Sequence, residues 1–144
     1  MAGVTNQQQP TTAPGRPVDV DTGFWLWVAA LPLMVTGYIV DLFTNPRDHP
    51  PAIVYAVSLL FVVVVAAIVV TFLILMRHGY RWTRTLLTGG GIASVVYAAT
   101  NLFSVDRPTA AAITYAVTVI VGSVLIVGGA FLLHRKDAHA FFTR

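Results

Sequence analysis

The feature that most limits what this chain can become is the length of its charge-free runs. From Ala52 to Met76, and again from Ala110 to Leu133, no charged side chain interrupts the apolar residues. Charged residues make up 10% of the chain and hydrophobic residues 56%, against about 25% charged in a typical soluble domain. A core built from 144 residues cannot hide that imbalance, so the sequence reads as an integral membrane protein with lipid as its solvent. The expected fold class is all-α: an integral membrane four-helix bundle with spans at about 24–43, 52–76, 86–103 and 110–133.

The first span, Phe24 to Phe43, is roughly 30 Å long as a helix, which matches the hydrocarbon core. Phe24, Trp25 and Trp27 are expected to form an aromatic belt at its start. Pro32 is expected to kink it about one turn earlier, and Asn45-Pro46 to end it. Pro50-Pro51 leads into the second span, whose run Phe61 to Val70 is almost wholly branched aliphatic and so reads as the helix with most lipid contact. The third span opens on Gly89-Gly90-Gly91, and Asp106 is expected to cap a fourth helix that holds Pro108 in its first turn.

Residues 1–22, rich in Gln, Thr, Pro and Gly, are expected to form a disordered tail ahead of the membrane domain at residues 23–134. Gln7-Gln8-Gln9-Pro10 stands where a secretory signal needs its apolar run. Residues 135–144 make a second tail, whose Phe141 and Phe142 are placed at the lipid interface.

Charge sets the orientation. An even number of spans puts both ends on one side, with Arg16, Arg77, Arg81, Arg84, Arg135, Lys136 and Arg144; the other side holds only Arg47 and Arg107. That bias, in short segments, places both termini in the cytoplasm of a cell-membrane protein. The net charge of +3 therefore reflects topology and carries no expectation of nucleic-acid binding.

Displacing the chain by sixty positions reveals an internal match. Asp41-Leu-Phe-Thr44 falls on Asn101-Leu-Phe-Ser104, Arg47 on Arg107, and Ala52-Ile-Val-Tyr-Ala-Val-Ser58 on Ala112-Ile-Thr-Tyr-Ala-Val-Thr118. The expectation is a tandem parallel repeat of two-helix hairpins about an axis along the membrane normal. Small residues recur at helical spacing as Ala30, Met34, Gly37 and Asp41, as Gly91, Ser94, Ala98 and Asn101, and as Thr114, Thr118, Gly122 and Gly129. Such stripes let helix backbones approach in lipid, and they predict a bundle with the first and third spans at its centre.

Two groups of residues are candidates for more than packing. Asp41 is the sole acid within an expected span, and with Asn101 it makes a candidate intramembrane polar pair near the outer end. It is expected to be solvated or paired with Arg107. Arg77, Arg81 and Arg84, spaced i, i+4, i+7, with Trp82 beside them, are candidate lipid-headgroup contacts; snorkelling that only fixes topology explains the same residues. With no cysteine, thiolate and iron–sulfur chemistry are excluded. None of the four histidines lies within a span, and no nucleophile has a His and an acid nearby, so no cofactor, metal or catalytic residue is expected.

The segment Gly79-Tyr-Arg-Trp-Thr-Arg-Thr-Leu-Leu-Thr88 resembles the loop between spans two and three of uncharacterised small four-span membrane proteins of actinobacteria. These share a G-x-x-W-A/T-R-x-L-L-T pattern and an aromatic pair near the C-terminus, as Phe141-Phe142 stands here. The resemblance implies the four-helix topology and brings no activity. Three readings follow. The first is a non-enzymatic accessory or assembly component of a larger membrane complex, with the bilayer and other membrane proteins, or a second copy, as partners. The second is a small oligomeric transporter or flippase with a path near Asp41, Asn101, Tyr55 and Tyr115. The third is a membrane enzyme.

Overall fold

The computed structural model describes residue 3, residues 15–44 and residues 50–142. Its helices are α1 (Val18–Thr44), α2 (Ala52–Arg77), α3 (Arg81–Ser104), α4 (Thr109–Leu133) and a single turn, α5 (Lys136–His139). The first four are each long and apolar enough to cross a membrane, and they form one bundle: the chain is a multi-pass membrane protein. We call the end where α1 begins and α4 ends the terminal face and the other the distal face.

Two helices start earlier than the apolar pattern alone indicates. Residues 18–22, read from composition as tail, are the first turn of α1. The Pro17 carbonyl accepts from the amides of Val20 and Asp21, and Asp19 and Asp21 lie at the positive end of the helix dipole. Helix α3 begins at Arg81, so the basic stretch is mostly helix and the connection shrinks to His78–Tyr80. Gly79 adopts φ 90°, the left-handed conformation that glycine enters without a Cβ penalty. Its amide donates to Met76 and that of Tyr80 to Leu75, which closes the last carbonyls of α2 in a Schellman turn.

The proline expectations divide. Pro32, expected to kink the first span, lies inside α1, which continues through it to Thr44. Pro51 and Pro108 stand at the N-caps of α2 and α4 rather than within their first turns, and their carbonyls accept the first helical bonds from Val54 and Ala112. Asp106 does not cap α4, since no side chain caps that N-terminus and Asp106 lies exposed two residues before the cap.

The helices form a ring in which each packs on its sequence neighbours and α1 closes on α4. The α1–α4 seam is by far the most extensive, and it is antiparallel: Gly23 meets Leu133 and Gly129, while Gly37 meets Val119 and Thr118. A Cβ on Gly37 would lie 3.0 Å from Val119 Cγ2. The stripe containing Ala30 and Gly37 is thus a contact face as expected, but its partner is α4. No Cα of α1 comes within 8 Å of one in α3, because a cleft separates them. The expected α1–α3 centre is therefore replaced by an α1–α4 centre. Under a twofold repeat the α1–α4 seam would have its equivalent in α3–α2; that seam is slight, so the two seams between the hairpins are unequal, although the hairpins themselves pack alike.

Tryptophan placement also differs from an aromatic belt. Trp25 is 56% exposed, whereas Trp27 is 5% exposed and Phe24 is buried with it. Residues 24, 27 and 30 share the face that α1 turns to the bundle, and Trp27 fills a slot opened by two glycines. A Cβ on Gly91 would lie 2.5 Å from its Cη2, and a Cβ on Gly129 would lie 2.5 Å from its Cδ1. At the terminal face, Val20, Leu73, Met76, Leu133 and Phe142 are nearly or completely buried together. Phe142, placed at the interface by sequence, belongs to this core at 2% exposure, with α5 turning the tail back over the bundle. Only Leu73 and Met76 of α2 are buried, and the rest of that helix faces outward in whole or part.

Candidate functional site

At the distal face α3 ends at Ser104, and its last carbonyls need donors that lipid cannot supply. Arg107, just beyond, folds back to give them. Its Nη1 donates to the carbonyls of Asn101 at 3.0 Å and Val105 at 3.3 Å. Its Nε donates to Asp41 Oδ1 at 3.1 Å, and its Nη2 donates to the same oxygen. The guanidinium lies 3.9 Å from the centroid of the Tyr115 ring, within cation–π range. Tyr115 is itself buried and donates to the Ala98 carbonyl at 3.3 Å. The Arg107 side chain is 2% exposed and that of Asp41 14%.

Asp41 and Asn101 do meet, through Arg107: the carboxylate of the first and the backbone carbonyl of the second share one guanidinium. The Asn101 amide nitrogen is buried without a partner among the described residues. A carboxylate one turn from the end of a span is thereby neutralised, which removes most of the cost of holding it there. Tyr55, the repeat counterpart of Tyr115, stacks instead on Phe43 with centroids 5.2 Å apart and planes 4° from parallel. Arg47, the counterpart of Arg107, lies outside the described residues.

The terminal face repeats the arginine device on different helices. Arg84, 7% exposed, donates through Nη1 to the Leu133 carbonyl at 3.2 Å, at the C-terminus of α4. Its guanidinium lies 4.8 Å from the Phe142 ring centroid and 3.5 Å from His139 Nδ1. Arg77 pairs with Asp21 at 3.1 Å and sits 4.7 Å over the Phe24 ring. The i, i+4, i+7 face expected for Arg77, Arg81 and Arg84 does not form, because the Gly79 turn assigns the first to α2 and the others to α3. Arg77 and Arg84 are turned onto the protein. Arg81 and Trp82 are the two exposed members of the group, with Trp82 edge-on to Phe72 at 5.4 Å.

Between α1, α2 and α3 lies the cleft that keeps α1 and α3 apart, with a volume of about 630 Å³. It runs from Trp27 to Asp41 along α1, roughly 21 Å at the helical rise. Its walls are apolar over most of that length: Met34 on α1, Val65 and Val69 on α2, Gly90 and Ala93 on α3, with Val119 and Ile126 of α4 behind. Polar side chains gather toward one end, where Asp41, Tyr38, Tyr97 and Tyr115 line it. Lining residues that remain exposed, Phe61, Ile68, Gly90, Ser94 and Tyr97, place the opening between α2 and α3.

Sequence reasoning did not find this cleft. The cue was Gly89-Gly90-Gly91, which reads as a close-packing run. Only Gly91 packs closely, while a Cβ on Gly89 or Gly90 would meet nothing within 4 Å. Among the described residues no three His, Cys, Asp or Glu side chains converge as a metal site. Searches against protein-family models, curated proteins and solved structures find no match to the chain.

Proposed function

We propose that this membrane protein is non-enzymatic and serves as an accessory or assembly component of a larger membrane complex, with both termini in the cytoplasm. The observation that carries the reading is the state of Asp41. Transport coupled to a proton or cation needs an intramembrane carboxylate free to bind and release its charge. Asp41 lies one turn from the end of α1, where a nearly inaccessible arginine holds it, and no acid among the described residues lies deeper in a span. The excess of Arg and Lys on the terminal face supports the orientation. The loop resemblance to small four-span actinobacterial proteins accords with the four-helix topology alone, and a two-hairpin ancestry would account for the match at sixty residues.

Purification in mild detergent with mass spectrometry of co-purifying chains tests this: stoichiometric membrane partners are expected. A chain recovered alone, together with loss of a transport phenotype in Asp41→Asn at normal protein level, would instead establish the second reading. That reading, a small oligomeric transporter, is favoured by the cleft, which connects the bilayer to the Asp41 end. Reporter fusions after Gly79 and at the C-terminus test the topology; both must report from the cytoplasm.

A further inference from the structure

We infer that the cleft between α1, α2 and α3 is a binding site for one neutral, hydroxyl-headed lipid chain that enters sideways from the bilayer. The inference does not depend on the assembly role: a subunit of a complex and a transporter can each carry such a site.

Size comes first. A protein cavity of 150 Å³ holds benzene, so about 630 Å³ accommodates on the order of twenty-five carbons. That suits a single chain and is far too small for another helix, whose diameter with side chains is about 10 Å or more. The cleft also extends over roughly two thirds of a 30 Å hydrocarbon core, the proportions of an extended chain lying along the helices. A gap of this size beside lipid does not stay empty, since its walls would forfeit their dispersion contacts.

The head is selected by the Asp41 end. Arg107 places both of its bonds on Oδ1, leaving Oδ2 as an acceptor without an arginine partner. Tyr38 and Tyr97 bring phenols to the same region, each able to donate or accept. Among the described residues an anionic head finds no free cation there, because Arg107 is committed to Asp41, Asn101 and Val105 and stacked on Tyr115. A cationic head meets a carboxylate already neutralised. A hydroxyl can donate to Oδ2 and accept from a phenol with no charge to desolvate.

Gly90 makes the site testable without damage to the fold. It lines the cleft, and a Cβ there meets nothing within 4 Å, so Gly90→Leu adds bulk to open space. Ser94→Phe does the same one turn further on. The protein in phosphatidylcholine nanodiscs is irradiated with a diazirine-bearing fatty alcohol, and the labelled peptides are read by mass spectrometry. Label is expected on the α2 and α3 segments that line the cleft, competed by unlabelled alcohol and lowered about tenfold or more by either variant. Fatty acid and phosphatidylcholine probes of the same chain are expected to label those segments weakly. Three results would overturn the inference: equal labelling of both variants and wild type; label spread onto the outward face of α4 around Val124; or equal labelling by all three heads. Closure of the cleft by a second copy, seen as crosslinks between chains at Ser94→Cys, would overturn it too.

Discussion

Among the described glycines, the two with least room for a side chain both face Trp27, and they yield a sharp prediction about a change as small as one methyl group. In Gly129→Ala the new Cβ would lie 2.5 Å from Trp27 Cδ1, 2.7 Å from Nε1 and 3.2 Å from the Gly23 carbonyl oxygen. The indole cannot retreat, because a position on its far edge is already met by Gly91, where a Cβ would approach Cη2 to 2.5 Å. Relief must come from separating α1 and α4, the main seam of the bundle. Overpacking of this kind costs about 1–3 kcal/mol. Alanine's better helix propensity returns about 0.8–1.0 kcal/mol relative to glycine, so the net change is a destabilisation of up to about 2 kcal/mol. Gly90→Ala isolates the propensity term, since its methyl meets nothing within 4 Å, and it is expected to stabilise by up to about 1 kcal/mol.

The assay is equilibrium unfolding in mixed micelles, dodecyl sulfate against a mild detergent, followed by tryptophan fluorescence. The difference between the two variants, about 1–3 kcal/mol, is the clash itself. In a Trp27→Leu background the slot is relaxed, and Gly129→Ala is expected to lose most of its cost, giving a coupling energy of about 1 kcal/mol or more. If Gly129→Ala and Gly90→Ala shift the transition equally, or if the Trp27→Leu background leaves the difference unchanged, the close α1–α4 packing described here is refuted.

The two buried arginines give further predictions. Asp41→Asn leaves the Arg107 charge nearly inaccessible and unpaired, and about 3 kcal/mol of stability should be lost in the same unfolding assay; Asp41→Asn with Arg107→Met should recover part of it. Arg84→Met removes the donor to the Leu133 carbonyl and should cost about 1–3 kcal/mol, whereas Arg81→Ala, at an exposed position, should stay within about 0.5 kcal/mol of wild type. Gly79→Ala forces a side chain into φ 90° beside the Phe141 carbonyl and should destabilise by about 1–2 kcal/mol, read as a lowered unfolding midpoint.

The fold was legible because it follows from one-dimensional quantities. Charge-free length gives four spans, the prolines mark where α2 and α4 begin, and the small-residue stripe of α1 marks the face it buries. Which helix meets that face was not legible, because Ala30 and Gly37 offer the same smooth surface to any partner. What separates the partners is relief along the whole seam: Gly23 and Gly37 of α1 receive Leu133 and Val119 of α4, and Gly122 and Gly129 of α4 receive Met34 and Trp27, whereas α3 offers Trp27 only Gly91. The same physics hid the cleft, since Gly89, Gly90 and Gly91 are identical in sequence and only the last has a neighbour within 4 Å. Of the candidate residues, Asp41 and Asn101 were found with their shared partner implied. Arg84 was read as a surface charge because nothing local shows that the C-terminus of α4 ends beside it.

That last point bears on how arginine is used in so apolar a chain. Each end of the bundle has a helix C-terminus met by an arginine, α3 by Arg107 at the distal face and α4 by Arg84 at the terminal face. In water such groups would be solvated, but near lipid each must find a protein donor. A guanidinium suits the task because its fork reaches a carbonyl with one arm while its plane lies on an aromatic ring. Arg107 does this with Tyr115 and Arg84 with Phe142. The two are therefore structural caps, and setting them aside leaves six basic residues on the terminal side against Arg47 alone on the other. The charge bias behind the proposed orientation thus grows when the arginines with another task are removed, and replacing Arg84 by Met should destabilise the protein without inverting it.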